Sequence, residues 1–509
     1  MKNKKFSPIF IFILLTFIVL LFSFVLSLFN FQAEYSTVNS YTNTLQNNVI
    51  QVENMLSAKG IKYIISNTAS NFVNFAPLSS LIIILIGIGV LEKSGFAKTF
   101  FTIITQSFRK NSITFTLIIL SIVLSAFGNI GFVLLLPIGA MLFKYGHRHP
   151  FGGIIASFAG MSFGYAINVF LSSIDTSLMS LTLTASKVID KDYSINQFFG
   201  LFIMIVALIS AAIIMTRVTE KKIMPKLGKY EFDEIETLDK IKFSNRELRG
   251  LVLSLGAGII YSIIIIWMII PGLPLSGGLL DNNGVYYIDK LFGEGSLFSQ
   301  GFVFIITFLF VIIGLVYGFV SKNIKNNKEV SECFSYSLDG IGSILVLIFV
   351  ASIFVSVLEK SNIGLVLVAL LTKLIDVFNF SGLGLVILLF VISIVAGLFY
   401  TGLVSKWQVM SGTVVPTLMN ASISPEFAQI VYTAGSSLSM AFTPVMIYYV
   451  IYIAYLEKYD KNGQVSMLNS FRYMKDYGLV MMIMWFILIV GFYVSGLPIG
   501  IGATPNLTF

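Results

Sequence analysis

The chain has 509 residues, of which 56% are apolar and only 11% charged, against the roughly 25% charged expected of a soluble domain. Several apolar runs reach about 20 residues, enough to cross a hydrocarbon core of ~30 Å, so the sequence reads as an all-α polytopic membrane protein. The net charge of +8 does not call for a nucleic acid, because the Lys and Arg fall in short inter-helix loops, where the positive-inside rule accounts for them.

Cys333 is alone, which excludes an intramolecular disulfide, and His147 and His149 in KYGHRHP read as a solvated loop rather than a metal pair. HExxH, Walker A and dinucleotide-binding motifs are missing from the sequence, and the GxSxG in GMSFG (160–164) lies inside an apolar run rather than at a strand-to-helix elbow. An enzyme therefore has no motif to rest on, and no cofactor is expected.

In chain order, the basic start MKNKK leads into a first span at 8–29. It is longer than the ~7–15 apolar residues of a signal peptide and is read as uncleaved. Segment 30–71, rich in Asn, Ser and Thr, is a solvated external cap or packing element. A span at 72–91 ends in Val-Leu-Glu-Lys-Ser (90–94), followed by an interfacial segment at 95–110. Region 113–143 is interrupted by SAFGNIG (125–131) and reads as a re-entrant hairpin, which is tolerated only where it is buried or lines a cavity. Spans follow at 152–182, 197–216, 251–270, 301–320 and 341–358, with a polar loop at 217–250. The last of these ends in a second Val-Leu-Glu-Lys-Ser (357–361) and is followed by another interfacial segment, 363–378. A second hairpin at 383–419, interrupted by YTGLVSKW (400–407), precedes spans at 427–455 and 478–497. The expected architecture is nine transmembrane helices and two re-entrant hairpins. It divides into 1–71, a first repeat at 72–196, connecting helices at 197–340, a second repeat at 341–455, and 456–509.

Charge tests this topology. With the N-terminus cytoplasmic and both hairpins returning to their side of entry, 25 of the 33 Lys and Arg lie in cytoplasmic loops. Making one hairpin a full span would send the basic loop 217–250 outside. The first pentapeptide then ends a span running inward and the second ends one running outward, so the repeat is inverted and the C-terminus external. The long spans align without gaps at HPFGGIIASFAGMSFGYAIN (149–168) over SPEFAQIVYTAGSSLSMAFT (424–443). Inverted repeats are typical of secondary transporters, whose sites lie where discontinuous helices meet.

The polar, Gly-rich stretches 160–175 and 434–444 mark the expected breaks, whose exposed backbone ends bind carboxylates or cations. Asp175, inside an otherwise uncharged span, is the candidate for ion or proton coupling. Asn168 and, at the first tip, Asn129 with Gly128 offer amide or backbone groups to substrate or cation; helix capping is the competing reading. Lys406 and Trp407 at the second tip suit an anionic group and an aromatic ring, against a snorkelling Lys and an interfacial Trp. Ser436, Ser437, Ser439 and Thr443 are hydroxyl donors at the second break, with Thr433 one step before it, or are simply small residues at helix contacts.

In these residues the chain resembles the p-aminobenzoyl-glutamate transporter (AbgT) family. The likeness is strongest in LIGIGVLEKSGF (85–96), HPFGGIIASFAGMSFGYAINVFLSSID (149–175), VTEKKIMPKLG (218–228) and SKWQVMSGTVVP with SPEFAQIVYTAGSS (405–437). The resemblance implies nine spans with two re-entrant hairpins, a homodimer in the plasma membrane, and transport of p-aminobenzoyl-glutamate driven by the proton motive force. Some members are described as exporting sulfonamide antimetabolites. It implies functional roles for Asp175, Asn168, Trp407, Pro416 and Pro444. Where the family typically reads Tyr-Arg-Ile-Gly-Asp-Ser, this chain reads YTAGSS (432–437), with Thr433 for the arginine and Ser436 for the aspartate. Losing the arginine removes a fork suited to a carboxylate. The competing reading keeps the fold but couples a carboxylate to sodium through oxygens around Asn129, Gly131 and Thr401. A channel or an intramembrane enzyme is the reading from another class, and no catalytic pair supports the enzyme.

Overall fold

The computed structural model describes residues 6–39, 42–232, 242–284, 287–293, 295–378, 380–461, 463 and 465–507. The side chain of Asn129 and residues 233–241 of the polar loop lie outside the described residues.

Helix α1 (Pro8–Leu28) starts where Ser7 Oγ accepts the Phe10 N–H and Pro8 takes the first turn, which needs no donor there. About half of its side chains are exposed and few are buried, as suits a lipid-facing helix. The segment expected as a solvated cap or packing element contains a two-stranded antiparallel hairpin, β1 (Gln32–Asn39) and β2 (Thr44–Gln51), followed by α2 (Ala58–Val73). This corrects the all-α expectation. The Thr, Val, Ile and Tyr of these strands suit a pleated surface, but among so many Asn and Ser they read as solvated chain.

Next come α3 (Ala76–Lys93), α4 (Phe96–Ser107), α5 (Lys110–Ser125), α6 (Asn129–Tyr145), α7 (Pro150–Gly164) and α8 (Ser173–Ser186). Helix α9 (Leu201–Val218) runs through a π-turn, Thr219–Ile223, into α10 (Met224–Leu227). Then follow α11 (Asn245–Ile269), α12 (Tyr287–Phe292), α13 (Leu297–Ser321) and α14 (Asn327–Ser335). The order of α3–α8 then recurs in α15 (Gly342–Lys360), α16 (Ile363–Val377), α17 (Leu383–Phe399), α18 (Leu403–Asn420), α19 (Pro425–Met440) and α20 (Tyr449–Lys458). Helix α21 (Met467–Ser495) closes the chain. Among the described residues seven helical stretches are long and apolar enough to cross a bilayer, namely α1, α2–α3, α9–α10, α11, α13, α15 and α21. The expected spans 152–182 and 427–455 are each divided, into α7 with α8 and α19 with α20.

Both pentapeptides make one local structure. Ser94 Oγ donates to the Leu91 carbonyl at 3.3 Å and Ser361 Oγ to Leu358 at 2.7 Å. The next residue turns left-handed, Gly95 at φ +88° and Asn362 at φ +58°, and a new helix starts. Gly and Asn are the residues that tolerate this region. The repeated sequence is thus a helix-ending corner used twice.

Helices α7 and α19 form the centre, and every residue of each is buried, as expected of helices without a polar face. Both begin with Pro at the first turn, capped by His149 Nδ1 and by Ser424 Oγ. Around them Phe158 stacks on Tyr452 at 4.1 Å and Phe132 on Tyr448 at 4.5 Å. Strand β1 lies on α18 so closely that a Cβ on Gly412 would stand 2.0 Å from the Ser36 carbonyl oxygen.

Candidate functional site

The first break runs from Tyr165 to Ser172, inside the expected range, and is organised by Asp175. Asp175 is the third residue of α8 and forms a capping box with Ser172. Its Oδ2 accepts the Ser172 N–H at 2.9 Å and the Ser172 hydroxyl at 2.6 Å. Asn168 Nδ2 donates to both carboxylate oxygens, at 2.9 and 3.1 Å. Asn168 and Asp175 are therefore joined side chain to side chain, and the cap of α8 is made by Ser172 with Asp175. Asn168 Oδ1 is buried without a hydrogen-bond partner.

Asn168 and Asp175 line a cavity that also takes in Leu403, Gln429, Ile430 and Thr433, from the second half of the chain. Its volume is ≈ 60 Å³, room for a few waters at most. A larger cavity of ≈ 690 Å³ adjoins it, sharing Val169, Leu171, Ile174 and Phe198. This one reaches Gly128 at the first hairpin turn and Ser172 at the cap of α8. It has an aromatic wall in which Phe127 stacks on Phe302 at 5.4 Å.

The second break is displaced from its expected place. Helix α19 continues to Met440, and the interruption spans 441–448. Thr433, Ser436 and Ser437 thus sit in regular helix. The Thr433 and Ser437 hydroxyls donate to carbonyls three residues back, as does that of Ser439, which lets small polar residues stay helical. The breaker is Pro444, which has no N–H and disfavours helix at the residue before it. Within this break Thr443 Oγ1 donates to Leu398 O at 2.8 Å, tying it to the end of α17.

Lys406 and Trp407 also move. The second hairpin turns at Tyr400–Gly402, and both residues lie inside α18, completely buried. Trp407 is no interfacial residue: Nε1 donates to Thr182 Oγ1 at 2.9 Å, and that hydroxyl donates to Gln429 Oε1 at 2.5 Å. Its ring stacks on Tyr432 at 4.4 Å, while the Tyr432 hydroxyl donates to Leu403 O at 2.6 Å. Helices α8, α18 and α19 are locked together by these contacts. Thr182, Gln429 and Tyr432 escaped the sequence reading; a Gln inside an apolar span was the available signal. Lys406 Nζ and Ser436 Oγ are buried without hydrogen-bond partners, and Nζ lies over the Tyr432 ring at 5.4 Å. The Lys does not snorkel.

The expected site is therefore divided. Asn168, Asp175 and Thr433 share one cavity, Gly128 lines the other, and Lys406 with Trp407 is enclosed beside the first. Gly131 packs in the first turn of α6 against the Leu124 carbonyl, Thr401 lies in the second hairpin turn, Pro416 is inside α18, and Pro444 lies in the second break; these line neither cavity. His149 caps α7, and burial pushes its imidazole from 6.5 down to about 4, opposed by nearby Asp460.

The sequence profile of the AbgT putative transporter family matches residues 1–507. The chain belongs to that family. A curated relative, the p-aminobenzoyl-glutamate transport protein of Escherichia coli (strain K12), is 23% identical over 459 residues, 90% of this chain and 88% of the relative. Among solved structures, Neisseria gonorrhoeae MtrF, described as illuminating a class of antimetabolite efflux pumps, is 29% identical at a TM-score of 0.50. The match covers 98% of both chains. The Alcanivorax borkumensis YdaH transporter is 24% identical at a TM-score of 0.48, covering 97% of this chain and 99% of that one. The AbgT relatives are multi-span membrane transporters, and this chain is a transporter rather than an enzyme.

Proposed function

We propose that the chain is a secondary active transporter of a small anionic or aromatic solute, driven by the proton motive force. The E. coli relative suggests p-aminobenzoyl-glutamate as substrate, and MtrF suggests antimetabolites, for which the sulfonamide type is the one expected from sequence. Nine spans and two re-entrant hairpins, α5–α6 and α17–α18, form an inverted repeat with the N-terminus cytoplasmic and the C-terminus external. The units are 1–71, 72–196, 197–340, 341–455 and 456–509, assembled as a homodimer.

The observation that carries the reading is the cavity where the first helix break meets α19, holding Asp175, Asn168 and Thr433. A carboxylate within an apolar bundle serves an ion path by default, and an interrupted helix beside it is the usual place for substrate. With only ≈ 60 Å³, the present conformation is closed to a solute of this size. Asp175→Asn is expected to abolish pH-gradient-driven flux of p-aminobenzoyl-glutamate in proteoliposomes; full flux in that variant would remove Asp175 from coupling. The unpartnered Asn168 Oδ1 beside the carboxylate favours a second reading, sodium coupling. Replacing sodium by choline at constant pH separates the two.

A further inference from the structure

Asp175 is held by Ser172 and Asn168. The buried cation left without any such partner is Lys406. It is 0% exposed, and its Nζ makes no hydrogen bond. It lies against the Tyr432 ring and beside Gly397 of α17, whose missing Cβ would stand 3.3 Å away. The Ser436 hydroxyl of α19, one turn beyond Tyr432, is likewise buried without a hydrogen-bond partner.

The charged groups of every element around Lys406 are committed elsewhere. On α8, Asp175 is held as described. On β1, Glu34 pairs with Lys373 of α16 at 3.6 Å. On α16, Asp376 accepts from Thr417 Oγ1, and on α19, Glu426 accepts from the Tyr193 hydroxyl at 2.8 Å. Helix α17 has no charged residue, and the other titratable groups on these elements are Tyr35, Tyr400 and Tyr432. An ammonium enclosed without a counter-ion is strongly disfavoured, whereas a neutral amine there is tolerable. The protonated amine can therefore be enclosed only in company with an anion. The cavity already reaches Leu403, one turn before Lys406, and Thr433, next to Tyr432.

From this we infer that Lys406 binds a proton and the anionic group of the substrate together, a proton–anion symport step that works beside Asp175 rather than in its place. The inference rests on the transport of a small anion proposed above. In each cycle Nζ takes one proton from water on the loading side and pairs with one anionic group. The ammonium–carboxylate pair crosses, the anion leaves, and Nζ returns the proton to water on the far side. The empty carrier then reorients with a neutral amine. Antiport would instead require proton and anion to displace one another.

The test uses the full chain in proteoliposomes with p-aminobenzoyl-glutamate as probe and a pH dye in the lumen. External acid is expected to drive uptake, and the lumen to acidify as the anion enters. Lys406→Met is expected to bind the probe on the order of 30-fold more weakly and to lose the uptake-linked acidification. Lys406→Arg, charged throughout, is expected to keep anion exchange but lose net uptake. Ser436→Asp supplies a resident anion and is expected to weaken probe binding, with monodispersity in detergent confirming the fold of each variant. Unchanged acidification in Lys406→Met, or wild-type net uptake in Lys406→Arg, overturns the inference. Anion entry with lumen alkalinisation also overturns it while leaving the transport reading intact. Absence of any carrier-mediated anion flux in the wild type refutes that reading and this inference with it.

Discussion

The lock between α8, α18 and α19 predicts that Trp407 acts first as a brace. Its side chain is completely buried, stacked on Tyr432 and hydrogen-bonded to Thr182. Trp407→Ala removes that volume and is expected to destabilise by about 3–5 kcal/mol. Thr182→Val keeps the shape but strands two groups, Trp407 Nε1–H and Gln429 Oε1. Each unpaired buried group costs about 1–3 kcal/mol, so a loss of about 2 kcal/mol or more is expected. Trp407→Phe gives up one hydrogen bond while Thr182 still donates to Gln429, a loss of about 1 kcal/mol. Combining Trp407→Phe with Thr182→Val leaves only Gln429 unpaired, so the double variant should be milder than the sum by about 1 kcal/mol. Thr182→Ser keeps the hydroxyl and should behave as wild type. Thermal unfolding followed by size exclusion in detergent ranks these variants. The brace is refuted if Thr182→Val matches Thr182→Ser, or if Trp407→Ala weakens probe binding without lowering stability.

Two further predictions concern other parts of the fold. Gly412→Val sets a side chain against the Ser36 carbonyl, 2.0 Å from a Cβ. It should cost about 1–3 kcal/mol through overpacking, and protease sensitivity within 30–51 should rise; an unchanged digestion pattern would count against the β1–α18 contact. His149 should titrate near pH 4 by NMR, because burial depresses it from 6.5. The sign follows from the capping role, since the neutral Nδ1 accepts the Phe151 N–H. The contribution is whole above pH about 6.5 and is lost as pH falls toward 4. A midpoint at 6.5 or above would contradict this, while His149→Asn should preserve the cap.

Much of this was legible because apolar runs and breakers are local signals. The first break and the turn at Gly128 fell where GMSFGYAIN and SAFGNIG put them, and the two pentapeptides marked equivalent corners. The second break was misplaced because two of the three serines of AGSSLS, Ser437 and Ser439, are satisfied within the helix, so polarity there did not mean interruption. Pro444 was the truer signal. The hairpin at 32–51 was hidden by its Asn and Ser content. The brace was out of reach for another reason: Trp407 and Thr182 are 225 residues apart, and Thr182 and Gln429 are 247 apart. No local pattern joins residues so distant, and Asp175 stood out only because a charge in an apolar run is conspicuous by itself.

The central claim is that this chain moves a solute by alternating exposure of a bound site, coupled to an ion gradient. Counterflow in proteoliposomes tests it most directly, with labelled p-aminobenzoyl-glutamate outside and excess unlabelled probe inside. The account predicts saturable uptake with a transient overshoot, abolished when the pH and sodium gradients and the internal probe are all removed. Flux that rises strictly linearly with concentration and shows no overshoot would contradict it.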